Sequence, residues 1–200
     1  MWRLVSSFDD EARLGETWRA ATPFPHLVFD DFVPVEVLPE LLAVLEEEPV
    51  DRFEGDIFAF EASRPVPRTA ELLQLRDSFA ETLAGPLSRI TDKMLRRADM
   101  RAFAYRPGHF LLPHSDHEEG VGRALAYAYY VPSPEPPLGG ELELFTCTLE
   151  GREVVRTESA LLIEPRSNRL VVFDVSDVSL HQVREVLGGL RVSLAGWFYP

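Results

Sequence analysis

The sequence predicts a mostly β fold with a helical buttress, a double-stranded β-helix (jelly roll, cupin-like). Three observations predict it. Helical periodicity is confined to the first half, with apolar stripes over 35–48 and 69–97. After Asp99 the pattern changes to short β-rich runs at 100–106, 123–131, 140–146, 152–157, 160–163, 169–173, 179–185 and 190–199. Turn-forming clusters separate these runs, at 132–140, at Glu-Gly-Arg (150–152) and at Gly188-Gly189. Helices first and strands after suit an antiparallel jelly roll with helices packed on its outer side.

Residues 1–24 carry mixed charge and read as a surface lead-in, with a short helix from Glu11 to Arg19. A β-rich run from Pro25 to Phe32 enters the fold. Val35 to Glu48 then reads as a helix, with Val37, Leu38, Leu41, Leu42 and Leu45 on one stripe, Glu46, Glu47 and Glu48 exposed, and Pro49 as its stop. Residues 51–68 mix Phe53, Ile57, Phe58 and Phe60 with Arg64, Pro65, Pro67 and Arg68, first strand-like and then loop-like. They are either an edge strand packed on the helices or a cover for a pocket. Thr69 N-caps a helix running to Leu83, and Gly85-Pro86 breaks it before a further helical stretch to Arg97. One domain spans 1–200, with 25–98 as mainly helical support and 99–200 as the jelly-roll core.

With 46% hydrophobic residues in 200, a full core forms without disulfides. The single cysteine, Cys147, reads as a buried small hydrophobe, and no run is long enough for a signal peptide or membrane segment, so the expected compartment is the cytoplasm. A formal charge of −13 with one lysine and no basic block argues against a nucleic-acid partner. Acidity would instead steer a basic protein toward the surface, or serve solubility alone.

The stretch Tyr105 to Asp116 carries the chemistry. His114 and Asp116 are two residues apart, so on a strand or its frayed end both leave one face while Ser115 leaves the other. Two His and one carboxylate on one side of an ion form the facial set of non-haem Fe(II) oxygenases. A His-x-Asp pair alone is weak, about 0.3 being expected by chance from 5 His and 12 Asp in 200 residues. Downstream, His181 is the best candidate for the third ligand. The strand it opens and the strand opened by Arg191 could run side by side. Arg191 and Ser193 share a face and offer a forked, permanently charged partner to a carboxylate. His26, His109 and His117 read as structural, solvent-facing or supporting groups. Asp174 and Asp177 read as turn residues.

At these residues the sequence resembles the Fe(II)- and 2-oxoglutarate-dependent dioxygenases. Within them it is closest to the prolyl hydroxylase branch and to the catalytic domain of the ribosomal-protein prolyl hydroxylases. The matching pieces are 25–32, 56–60, 122–131, 139–145, 168–176 and 178–186, with the final Gly-Trp-Phe. The resembled eukaryotic proteins carry a second, non-catalytic domain after this one. The present sequence ends at Pro200, so the resemblance implies the chemistry rather than that ribosomal substrate.

The resemblance implies that Fe(II) is held by His114, Asp116 and His181, with 2-oxoglutarate as cosubstrate, O2 as oxidant and ascorbate as a candidate reductant. Arg191 would pair with the distal carboxylate of 2-oxoglutarate, helped by Ser193 and a tyrosine hydroxyl. Tyr105 is at the position the family uses for this, nine residues before His114. Tyr130 is the second candidate. If it points inward so do Ala126 and Ala128, leaving Leu125, Tyr127 and Tyr129 for the helices; it could equally be an ordinary strand residue. Trp197 has the parity of Arg191 and would face the substrate, or serve as core. In the nucleic-acid demethylase branch a second arginine is expected where Trp197 stands. Asp116 favours hydroxylation over halogenation, which needs a small residue there. The implied reaction hydroxylates a C–H bond, with release of succinate and CO2. The implied substrate is a prolyl residue of a protein, or alternatively a free amino acid or natural-product intermediate. A non-catalytic binding module is the competing class.

Overall fold

Large aromatics near the start of the chain fix its entry into the core. The computed structural model describes residues 2, 8–151 and 153–200. The rest of the early lead-in, and Arg152 of the Glu-Gly-Arg turn, lie outside the described residues. Trp2, Phe8 and Trp18 are buried, so the lead-in is part of the core and not a surface segment. The Trp2 ring meets Phe79 edge-on at 4.9 Å and its Nε1–H donates to the Leu75 carbonyl at 2.9 Å. A charge-rich stretch hid these single aromatics, each of which buries on the order of 150–250 Å². Helix α1 (Glu11–Ala20) starts at Asp10, whose carboxylate accepts from Arg13 N–H at 3.0 Å.

Strand β1 (His26–Phe29) is followed by a 3-10 turn (Val35–Val37) and helix α2 (Leu38–Glu47). The predicted stripe packs as expected, with Leu41 buried and Val37, Leu38, Leu42 and Leu45 half-buried against the same cluster. Glu48 departs from expectation. It is only 4% exposed, and its carboxylate accepts from the backbone N–H of Arg68 and Thr69, both at 2.9 Å. Glu46 and Glu47 are exposed as expected, whereas Glu48 clamps the start of the next helix. Strands β2 (Asp51–Gly55) and β3 (Phe58–Ala62) form a hairpin.

Helix α3 (Ala70–Thr91) is capped by Thr69, whose hydroxyl accepts from Leu72 N–H. It passes through Pro86, where the sequence predicts a break. An internal proline costs about 3 kcal/mol. The buried stripe Leu72, Leu75, Phe79, Leu83, Leu87 and Ile90 extends on both sides of it. At about 1.5–3 kcal/mol for each large side chain, Leu87 and Ile90 alone offset that cost.

The remaining strands are β4 (Arg97–Ala98), β5 (Arg101–Tyr105), β6 (Phe110–His114), β7 (Leu125–Tyr130), β8 (Leu138–Gly139), β9 (Leu142–Glu150), β10 (Glu153–Ile163), β11 (Arg169–Asp174), β12 (His181–Val183), β13 (Val186–Gly188) and β14 (Arg191–Tyr199). Apart from β8 and β13, which pair with each other in a separate two-stranded sheet, they make a curled, jelly-roll sheet in the order β1-β11-β7-β14-β5-β3-β6-β12-β9-β10, every pair antiparallel. β1 to β4 join it, so residues 25–98 supply strands as well as helices. The expected runs 152–157 and 160–163 are one strand, β10, with register shifts near Val154 and Ser159. The strands of His181 and Arg191 do not lie side by side: β12 pairs with β6 and β9, and β14 with β7, β5 and β4.

On β7 the predicted alternation holds. Leu125, Tyr127 and Tyr129 join the helical core, and Ala126, Ala128 and Tyr130 join the inner cluster with Leu142, Leu144 and Phe173. Asp174 ends β11 and pairs with Lys93 instead of making a turn. Cys147 is half-buried on β9, not fully buried. Among the described residues no helix is long and apolar enough to cross a membrane.

Candidate active site

The curl of the sheet encloses a cavity of about 340 Å³, at the lower end of the usual range for ligand pockets. At one end of it, β6 and β12 set His114 directly opposite His181. Asp116 follows β6 by two residues. The ligand atoms of these three side chains lie within 4.8 Å of one another. His114 Nδ1 faces the Leu112 carbonyl at 2.9 Å and His181 Nδ1 faces the Ser179 carbonyl at 3.0 Å. A carbonyl only accepts, so each Nδ1 carries the proton and each Nε2 keeps a free lone pair. Those Nε2 atoms turn to Asp116, at 3.7 Å from Oδ1 for His114 and 3.5 Å from Oδ2 for His181.

Burial pushes His181 down to about 4, against the opposing pull of Asp116, so at neutral pH it is the uncharged imidazole a metal requires. Phe173 packs edge-on against its ring at 4.7 Å. Two imidazoles held through Nδ1 and one carboxylate, with their ligand atoms converging, are a donor set suited to a divalent first-row ion.

At the other end Arg191 is only 3% exposed. Its Nη1–H donates to Ser193 Oγ at 3.3 Å and its Nη2–H to the Tyr130 hydroxyl at 3.5 Å. The guanidinium carbon lies 4.8 Å from the Tyr105 ring centroid and 4.9 Å from that of Tyr130. Cross-strand register explains the grouping, since Arg191 stands opposite Tyr105 on β5 and Ser193 opposite Tyr130 on β7. Arg191 Nε is buried and has no acceptor among the described residues. Burial raises the Tyr105 hydroxyl to about 12, which keeps it a neutral donor. The arrangement is a dry pocket of hydrogen-bond donors around a permanent cation, and its complement is a carboxylate. Gly140 is required beside it. Its φ is +72°, and a Cβ there would sit 2.9 Å from Arg191 Cδ and 2.8 Å from Val186.

Trp197 faces the cavity with its indole plane under Arg123, whose guanidinium carbon is 3.9 Å from the ring centroid. Asp99 fixes this end of β14 by accepting from Trp197 N–H at 2.6 Å and from the Tyr199 hydroxyl at 2.9 Å. Of the remaining histidines, His117 is exposed and faces Asp177 at 3.4 Å, His26 bonds the Phe24 carbonyl, and His109 is buried outside the cavity lining.

Arg101 and Arg123 escaped the sequence reading, whereas a pocket-covering role for residues 51–68 was one of its two alternatives. Phe58 and Phe60 of the β2–β3 hairpin line the cavity, as do Arg101 and Arg123. Arg101 has the parity of Tyr105 on β5, a signal that was available. Arg123 precedes β7 with the parity of the outward face, so nothing local pointed to it.

Residues 100–199 match the model of the 2OG-Fe(II) oxygenase superfamily. The chain is 34% identical over 189 residues to prolyl 3-hydroxylase OGFOD1 of Xenopus laevis, covering 90% of this chain but 35% of that protein. It therefore spans about a third of the length of that relative. Among solved structures, a Pseudomonas putida prolyl-4-hydroxylase superposes with a TM-score of 0.69 at 22% identity, covering 93% of this chain and 98% of the other. A Trichoplax adhaerens prolyl hydroxylase, solved with a peptide fragment of hypoxia inducible factor, superposes with a TM-score of 0.67 at 17% identity, covering 98% and 94%.

Proposed function

The chain belongs to the 2OG-Fe(II) oxygenase superfamily, whose members use Fe(II), 2-oxoglutarate and O2, and on that premise we propose that it hydroxylates a prolyl residue of a protein. In this reading His114, Asp116 and His181 hold the iron. Arg191, Ser193, Tyr105 and Tyr130 receive the distal carboxylate of 2-oxoglutarate, and Trp197 borders the substrate. The observation that carries it is the pair of Nε2 lone pairs turned onto the two oxygens of one carboxylate, across the cavity from a donor-lined cation.

When bound, Fe(II) supplies the coupled chemistry, in which 2-oxoglutarate loses CO2 to give succinate and one oxygen atom enters a C–H bond. The chain's own groups do the positioning. The backbone carbonyls of Leu112 and Ser179 lock both imidazole tautomers. Arg191 anchors the cosubstrate at its far carboxylate, so that its reactive end is held at the His-Asp-His side. Ala126 and Ala128 leave the space between, and Phe58, Phe60, Phe103 and Phe173 give it an apolar lining. The prolyl target is supported by the 34% identity to a prolyl 3-hydroxylase across nine-tenths of this chain. A cytoplasmic setting and ascorbate as reductant belong to the same proposal.

Incubation with Fe(II), 2-oxoglutarate, ascorbate and host lysate, followed by mass spectrometry, tests it. The expected result is succinate release together with a peptide that gains one oxygen atom on proline. Succinate release stimulated only by the small-molecule fraction would replace the protein substrate with a metabolite.

A further inference from the structure

Arg101 is a cavity residue that the reading above leaves without a task. On β5, Arg101, Phe103 and Tyr105 alternate with Ala102 and Ala104, and all three larger side chains line the cavity. Across the ladder they meet Ala195, Ser193 and Arg191 in turn. Arg101 is thus four residues from Tyr105, about 13 Å along the strand, beyond the reach of a cosubstrate carboxylate held at Arg191.

Its guanidinium is half-buried between the Phe53 and Phe103 rings, 5.1 Å from each centroid. Nε–H donates to the Ser63 carbonyl at 2.7 Å, which fixes the fork. Nη2 is buried and has no acceptor among the described residues. Asp99, whose charge Arg101 feels, has its oxygens engaged by Trp197 and Tyr199. Burial lowers the Arg101 pKa, yet a guanidinium remains a cation at neutral pH. Opposite it stand Ala195 and, one strand further, Ala128, whose short side chains also line the cavity. Three arginines line the cavity and Asp116 is its one acid.

A fixed, half-buried cation in the cavity lining, with a buried donor that has no acceptor among the described residues, is matched by an anion with two parallel acceptors. We infer that Arg101 is a specificity-determining residue that receives a carboxylate of the primary substrate, so that the enzyme selects targets with an acidic group beside the hydroxylated position. This rests on the proposed function above, and it adds the charge of the substrate. The carboxylate is either an Asp or Glu side chain near the target proline or the free carboxylate of a small molecule.

The test uses synthetic peptides with one central proline and Glu, Gln or Lys at each flanking position. Binding is read by fluorescence anisotropy under argon with Fe(II) and 2-oxoglutarate, and turnover by mass gain in air. The wild-type protein should favour Glu over Gln at one position by about tenfold or more. Arg101→Gln should bring that ratio to near one, and Arg101→Glu should reverse it in favour of Lys. Each ratio compares peptides on one variant, so partial misfolding cannot imitate the result.

A second arm measures succinate release with free proline against prolinamide. If no peptide binds or gains oxygen, the protein-substrate reading fails, while a preference for proline that Arg101→Gln abolishes keeps the inference. A Glu preference unchanged in Arg101→Gln, or no Arg101-dependent preference in either arm, overturns it.

Discussion

At the β6–β12 end of the cavity the inward atoms are lone pairs, the Nε2 of His114 and His181 and the oxygens of Asp116. At the β5–β14–β7 end they are donors, the guanidinium of Arg191 with the hydroxyls of Ser193 and Tyr130 bonded to it and the Tyr105 ring beside it. The first end sits on short strands and the chain just beyond them, with His114 half-buried, and takes its rigidity from backbone carbonyls. The second sits on the regular inner ladder, where register alone brings the groups together. One end is completed by a cation and the other by an anion. A molecule with a chelating end and a distal carboxylate joins the two, which is the shape of 2-oxoglutarate.

The largest effects are expected at the lone-pair end. His181→Ala or His114→Ala leaves two ligands, too few to hold Fe(II) facially, and succinate formation should fall to background. Asp116→Gly should abolish hydroxylation while 2-oxoglutarate still binds through Arg191. Turnover at the wild-type rate by any of these variants, measured as succinate release, would remove the iron assignment.

At the donor end the effects should be graded. Arg191→Met leaves the cosubstrate carboxylate buried and unpaired, and the apparent constant for 2-oxoglutarate should rise more than about a hundredfold. Arg191→Lys keeps the charge and loses the fork. One charge-assisted bond of roughly 1.5–3 kcal/mol corresponds to about a ten- to hundredfold rise, with rate at saturation largely kept. Titration of 2-oxoglutarate against succinate release separates the two, and a constant for Arg191→Met equal to that of wild type would place the carboxylate elsewhere.

Gly140→Ala tests whether the backbone shapes that pocket. A side chain at φ +72° costs about 1–2 kcal/mol, and its Cβ would press on Arg191 Cδ from 2.9 Å. The melting temperature should drop by a few degrees, and the 2-oxoglutarate constant should rise several-fold, without loss of iron binding. An unchanged constant in a destabilised protein would show that Arg191 yields freely.

What the sequence disclosed follows from range. Strand parity is local, so the grouping of Ala126, Ala128 and Tyr130 on one face and of Arg191 with Ser193 was legible from alternation, while which face of β7 turns inward was not. The helical face of α2 was legible for the same reason. The neighbour of β12 was not, because strand order depends on connections that cross the sheet, and Gly188-Gly189 between the two runs looks like a hairpin turn. Long-range partners decided the other departures. Glu48 reaches Thr69, Trp2 reaches Leu75, and the stripe of α3 overrides Pro86 through contacts that no short window contains. The grouping of His114, Asp116 and His181 was readable through family resemblance and residue type, whereas Arg123 lies over Trp197, a partner seventy-four residues away.

The smallest effect is expected for Tyr130→Phe, and it bears most directly on how the donor end works. The hydroxyl lies 3.5 Å from Arg191 Nη2, a long contact, while the ring packs among Ala126, Ala128 and Leu142 and is unaffected by removing one oxygen. If Tyr130 only supports the guanidinium, its loss removes one neutral hydrogen bond of about 0.5–1.5 kcal/mol, raising the 2-oxoglutarate constant by roughly two- to tenfold. If the hydroxyl also donates to the cosubstrate, the bond is charge-assisted and the rise should approach that of Arg191→Lys. The double variant distinguishes the cases. Arg191→Lys with Tyr130→Phe should multiply the single effects when the two groups bind the carboxylate independently, and should give less than their product when Tyr130 acts through the arginine. The contact of the hydroxyl with Arg191 Nη2, long as it is, favours the second outcome.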